Sequence, residues 1–129
     1  MSSTFLSGGI KESSPFPDGQ PHICVDRSKI NKDIICRISS PKDLFNVCLL
    51  ADVIDPGEHR LRIAYLMGGR MDRALSSSEP YTLRSVCRVL NGHGWKSVSV
   101  FCAHSSSTHD LLDRYEEWFP LHEDTFYDY

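Results

Sequence analysis

Two short segments carry side chains suited to binding phosphate: Gly68-Gly69-Arg70-Met71-Asp72-Arg73 and Ala103-His104-Ser105-Ser106-Ser107. The guanidinium of Arg70 offers a planar fork of donors that matches phosphate oxygens, and Gly68-Gly69 lets backbone approach a ligand closely. A neutral His104 can hold a divalent metal, and a protonated one can bind an anion directly. Each also has a plainer reading. An Arg-Met-Asp-Arg run also suits a solvated ion-pair cluster, and His109 fits an exposed first-turn residue. His22, His59, His93 and His122 show no metal-ligand spacing. Ser76-Ser77-Ser78 lies in neither a nucleophile elbow nor a phosphate-binding P-loop, and fits a hydroxyl-rich loop. Phe16-Pro17-Asp18-Gly19-Gln20 is, by residue type, a turn.

These residues must be positioned by the elements that precede them. His22 to Arg27 has a strand-like mix, and Asp33 to Ser39 is richer in β-branched residues. Ser40-Pro41-Lys42-Asp43 then predicts an N-cap, a first-turn proline and an acid at N3, opening a helix that stops at Asp55-Pro56-Gly57. Arg62 to Met67 is a short apolar strand. Ser78-Glu79-Pro80 opens a second helix, with Leu83, Val86, Cys87 and Leu90 on one face, and Gly92 and Gly94 end it. Ser97 to Cys102 is a further strand, and Ser107-Thr108-His109-Asp110 caps a third helix carrying Leu111, Leu112, Tyr115 and Trp118. The alternation predicts right-handed βαβ crossovers and a parallel sheet covered on both faces. Ligands of such sheets bind beyond the carboxyl ends of the strands, so Arg70, Asp72 and His104 are expected on one rim.

With 129 residues, 40% of them apolar, the chain is sized for one domain. A net charge of −3 and a pI near 6.0 give no basic footprint, so nucleic acid is not an expected partner. No window is apolar enough for a membrane span and the first 16 residues do not read as a secretion signal, which predicts a cytoplasmic protein with no membrane partner. The five cysteines are scattered through apolar runs and read as reduced core thiols. Residues 1–15, rich in Ser and Gly, are expected to form a flexible leader in which Thr4-Phe5-Leu6 could add a short edge strand. Residues 121–129 form an acidic, aromatic tail.

Three of these segments, in order, resemble the amino-terminal half of the ribose-phosphate pyrophosphokinases. Phe16-Pro17-Asp18-Gly19-Gln20 resembles the family's F/Y-x-D/N-G/Q-E segment, with Gln20 where an acid is usual. Tyr65 to Pro80 resembles its Y-x-R-Q-D-R loop and the S-x-E/A-P helix start after it, with Met71 in place of Gln. Ala103-His104-Ser105 falls where the family has D-L-H-A or D-P-H-S, with Cys102 at the position of an Asp. The resemblance spans residues 16–120. It implies a three-layer α/β domain with a parallel sheet, of the phosphoribosyltransferase-like type.

The resemblance also implies roles. Phe16 would flank adenine, Asp18 and Gln20 would bond its edge, and Arg70, Met71 and Asp72 would line the ATP phosphates. His104 would stand beside magnesium. The reaction implied is transfer of the β,γ-pyrophosphoryl group of Mg-ATP to the 1-hydroxyl of ribose 5-phosphate, in nucleotide or NAD precursor synthesis. The family's sugar-phosphate loop and flexible basic loop do not occur in these 129 residues, so the chain is expected to be inactive without a second half. In the family the Phe16-like loop serves a neighbouring subunit, which implies a homo-oligomer, or a hetero-oligomer with a complementary chain. The alternatives are a non-catalytic regulatory homologue that joins oligomers of a complete synthetase, and a relative acting on another ribosyl substrate such as ADP-ribose. A response-regulator-like domain shares the alternation but needs a phosphoacceptor Asp at a strand end, where Met67 and Cys102 stand.

Overall fold

Alternating apolar residues in three segments build the centre of the protein. In the computed structural model, which describes residues 3–68, 76–101 and 106–118, these segments are β3 (Asp33–Ile38), β4 (Arg60–Leu66) and β5 (Ser97–Val100). They lie in the order β3-β4-β5, and both pairings are parallel. The register sets Ile34 beside Leu61 and Val98, and Cys36 beside Ile63 and Val100, so one face of the sheet is continuously apolar. An irregularity between Cys36 and Arg37 shifts the pairing, so Arg37 partners Tyr65 and Ile38 partners Leu66.

A hairpin precedes the sheet: β1 (Ile10–Ser13) pairs antiparallel with β2 (His22–Val25). The helices are α1 (Pro41–Val53), α2 (Thr82–Asn91) and α3 (Ser106–Leu111). The fold is therefore α/β, a three-stranded parallel sheet flanked by helices and compatible with a phosphoribosyltransferase-like domain, although α1 and α2 both pack on the apolar face where the alternation predicts cover on both. Val47 and Leu50 of α1 and Leu83, Val86 and Leu90 of α2 bury against the apolar face of the sheet in one core. The two helices are neighbours, with His93 Nε2 3.3 Å from Cys48 Sγ. Among the described residues no helix is long and apolar enough to cross a membrane.

Four expectations need correction. First, residues 3–13 of the expected leader are built into the domain, Thr4-Phe5-Leu6 joining a sheet edge as its sequence allows. Phe5 is buried and bridges Cys36 on the free edge of β3, and Leu6 N donates to Ile35 O while Arg37 N donates to Thr4 O. An edge strand has unpaired backbone groups, and this segment satisfies them. Second, α2 begins at Thr82, after the Ser-Glu-Pro stretch. Third, α3 ends at Leu111, short of Tyr115 and Trp118. Asn91 stops it: its Nδ2 donates to Leu111 O and its Oδ1 accepts from Asp113 N, both at 2.9 Å. Arg114 then takes φ 55°, and Tyr115 pairs in parallel with Val98 along the other sheet edge. Fourth, Cys24 is exposed, although Cys36 and Cys87 are buried as expected.

Burial pushes the Cys87 thiol up to about 11 and that of Cys36 higher still, which keeps both protonated and unreactive at neutral pH. Alkylation of the native protein should therefore modify Cys24 at least about 100-fold faster than either. Mass spectrometry of labelled peptides, before and after denaturation, measures the ratio.

Candidate functional site: the carboxyl rim of the sheet

Because β4 and β5 run parallel, the chain leaves both at the same rim. Phe101 N donates to Ile63 O at 2.9 Å, which places the end of β5 beside β4. Residues 69–75 connect the end of β4 to α2, and residues 102–105 connect β5 to α3. Arg70, Met71, Asp72 and His104 belong to these connections and lie outside the described residues, as does Cys102. The structure describes what anchors them.

Gly68 is the first anchor. It has φ +76°, and a Cβ built there would stand 3.4 Å from Leu83 N and 3.5 Å from Thr82 Cγ2. The loop therefore starts on a residue that side chains rarely tolerate, pressed against the first turn of α2. Among the described residues no side chain caps that turn: Tyr81 at the N-cap makes no side-chain hydrogen bond to it. Helix starts of this kind leave donors and partial positive charge for an anion.

The start of α1, on the same rim, is closed instead. Ser40 Oγ accepts from Asp43 N at 3.3 Å, while Asp43 Oδ2 accepts from Ser39 N at 2.9 Å and from Ser39 Oγ at 2.8 Å. Asp43 Oδ1 accepts from Thr4 Oγ1 at 2.6 Å. Asn46, 1% exposed, donates from Nδ2 to Thr4 Oγ1 and to Glu12 Oε1, and Glu12 Oε2 accepts from Thr4 N. A carboxylate already fills this helix start, whereas Tyr81 gives that of α2 no side-chain cap. The Ser40-Pro41-Lys42-Asp43 signature foretells the cap; the partners Thr4, Glu12 and Asn46 are brought in only by the fold.

Burial pulls the Asp43 carboxyl upward, but hydrogen bonds from Thr4, Ser39 and Ser40 outweigh it and hold the group below the usual carboxylate range. A depressed folded-state value means that Asp43 contributes its full stabilisation above the unfolded value of about 3.9 and loses it as pH falls through the folded value. Asp43→Asn should cost about 1–2 kcal/mol at neutral pH, typical of a lost N-terminal cap. It should also flatten the decline of stability below about pH 4. Urea unfolding of both proteins from pH 2 to 7 checks it.

Phe16, Asp18 and Gln20 sit on the connection between β1 and β2. Gly19 N donates to Phe16 O at 2.7 Å, Phe16 N to Gln20 O at 3.0 Å, and Gln20 N to Asp18 Oδ1 at 3.0 Å, with Gly19 at φ +86°. The turn chemistry is as its residue types predict. Phe16 is 46% exposed, its ring 5.2 Å from that of His22. The aromatic ring is thus presented to solvent on a hairpin packed beside α1.

Among the described residues no group of three or more His, Cys, Asp or Glu is placed to hold a metal ion. A cavity of about 200 Å³ is lined by Arg27, Ile30, Ile54, Asp55 and His59, where α1 ends and β4 is about to begin. It belongs to the end of the sheet opposite the rim.

No protein-family model matches the chain. Over 116 residues it is 28% identical to a curated ribose-phosphate pyrophosphokinase of Pyrococcus furiosus. The match takes in 80% of this chain, which spans 41% of the length of that relative. An α/β fold with a parallel sheet and this partial similarity together link the chain, distantly, to the ribose-phosphate pyrophosphokinases.

Proposed function

We propose that this chain is the ATP-binding half of a ribose-phosphate pyrophosphokinase-like enzyme, the half that holds Mg-ATP while a second half supplies the site for ribose 5-phosphate. The observation that carries the reading is the start of α2 behind Gly68, which no described side chain caps, at the rim from which residues 69–75 and 102–105 both spring. Pyrophosphoryl transfer needs alignment and neutralisation of developing charge, and no covalent nucleophile. Arg70 and the helix start would hold phosphate oxygens, with Met71 and Asp72 shaping the loop. Magnesium, arriving on the nucleotide, would neutralise phosphate charge, with His104 beside it. Phe16, Asp18 and Gln20 would receive adenine, and their place on a solvent-facing hairpin suits a nucleotide held by a neighbouring copy.

Titration of the full chain with ATP, with and without magnesium, tests the reading. Binding should require magnesium and weaken at least about 10-fold in Arg70→Ala and in His104→Ala, the loss expected for hydrogen bonds to charged groups. Unchanged affinity in both variants overturns it. The alternative reading, a non-catalytic module that joins oligomers of a complete synthetase, is distinguished by the same titration. It predicts mixed oligomers with that synthetase and no ATP affinity.

A further inference from the structure

The outer face of the helix layer carries apolar residues at exposed positions. Phe45 on α1 is 46% exposed and Val89 on α2 is 39% exposed, and Leu49 of α1 is only partly buried. Both helices follow strands of one parallel sheet and so run the same way, and His93 meets Cys48 between them. Phe45 and Val89 each lie about one turn before that contact, so they flank the same groove. On α1 the exposed Lys42 and Asp52 extend the series to Lys42, Phe45, Leu49 and Asp52, whose intervals of three, four and three residues are the spacing of a coiled-coil seam.

The two charges of this series stand at the wrong ends of their own helix. The first turn of a helix carries partial positive charge and the last turn partial negative charge, so Lys42 beside the N-cap Ser40 and Asp52 next to the final residue, Val53, are both repelled. Neither forms an ion pair among the described residues. A second α1 laid antiparallel along the first removes both conflicts, because the series read backwards is its own complement. Lys42 then meets Asp52 and the negative helix end of the second copy, Asp52 meets Lys42 and the positive end, and Phe45 meets Leu49. Such self-complementarity is what twofold association requires, and a dissimilar partner would have no reason to match it. The 13 residues of α1 span about 20 Å, so the seam buries less than the roughly 800 Å² per partner of a stable complex, and dissociation in the micromolar range is expected.

We propose that α1 is the centre of a twofold interface with a second copy of this chain, the two helices antiparallel, Lys42 against Asp52 and Phe45 against Leu49, with Val89 at the flank. This pairing does not rest on the nucleotide reading. Sedimentation velocity of the full chain without nucleotide, from about 1 to 500 μM, tests it. A reversible dimer is expected, weakened at least about 10-fold in Phe45→Asp, with circular dichroism confirming that the monomer stays folded. Lys42→Glu and Asp52→Lys should each weaken self-association at least about 10-fold, since symmetry sets two like-charged pairs in either variant dimer. Both substitutions suit the dipole of α1, so a weaker helix does not account for the loss. An equimolar mixture of these two variants should restore the dimer, because each pair across the interface is again of opposite charge. A chain that stays monomeric throughout this range overturns the proposal. So does a dimer that Phe45→Asp leaves unchanged, or a mixture that associates no more tightly than the separate variants.

Discussion

Gly68→Val is expected to lose about 2–3 kcal/mol of stability and, on the proposed nucleotide-binding reading, at least about 10-fold in ATP affinity. The residue has φ +76°, a conformation that costs a side chain about 1–2 kcal/mol, and a β-branched one more. Its Cβ would touch Leu83 N at 3.4 Å, so the branching methyl groups must push on the first turn of α2 or turn the loop away from it. Either response moves the start of residues 69–75 relative to the helix donors, which is why stability and affinity should fall together. Gly68→Ala keeps the conformational cost but adds little bulk, and should show roughly half the stability loss with a smaller effect on affinity. Urea midpoints and ATP titrations of the two variants separate the terms. A valine variant with parental stability would mean that the backbone at this position is not left-handed.

Leu61→Ala should be the most damaging single truncation, at about 3–4 kcal/mol. Leu61 is fully buried on the central strand, with Ile34 on one side and Val98 on the other, so the void it leaves is walled by backbone on both flanks and cannot collapse easily. The loss is a large part of the roughly 5–15 kcal/mol typical of a domain, so the midpoint in urea should fall sharply while the slope stays the same. Val89→Ala is the comparison, since Val89 on α2 is 39% exposed and its truncation should stay within about 0.5 kcal/mol. A Leu61→Ala cost below about 1 kcal/mol would be inconsistent with a central β4.

How far the site is legible in the sequence depends on where its determinants lie along the chain. Ser40-Pro41-Lys42-Asp43 announces a helix start because a cap is local: donor and acceptor are three residues apart. That the same carboxylate is also bound by Thr4, 39 residues earlier, has no sequence signal. Asn91 reads as one more polar residue on the outer face of α2, yet it ends α3 from 20 residues away. Thr4-Phe5-Leu6 is legible as an edge segment, but residues 10–13, which pair with β2, differ from expectation for a related reason. The Ser and Gly content of residues 1–15 lacks period, but a sheet edge recruits backbone, and backbone pairing leaves no mark on composition.

Local periodicity and turn chemistry therefore determined the three parallel strands, the three helix starts to within a few residues, and the turn at Phe16 to Gln20. These depend on short-range sterics and on which face of an element is apolar. Only the tertiary structure decided that Tyr115 closes the edge of the sheet at Val98, and that Asp43 occupies the start of α1 while Tyr81 leaves that of α2 without a side-chain cap. Those outcomes depend on which distant groups meet, and free backbone donors and acceptors are alike in every residue until the fold selects their partners.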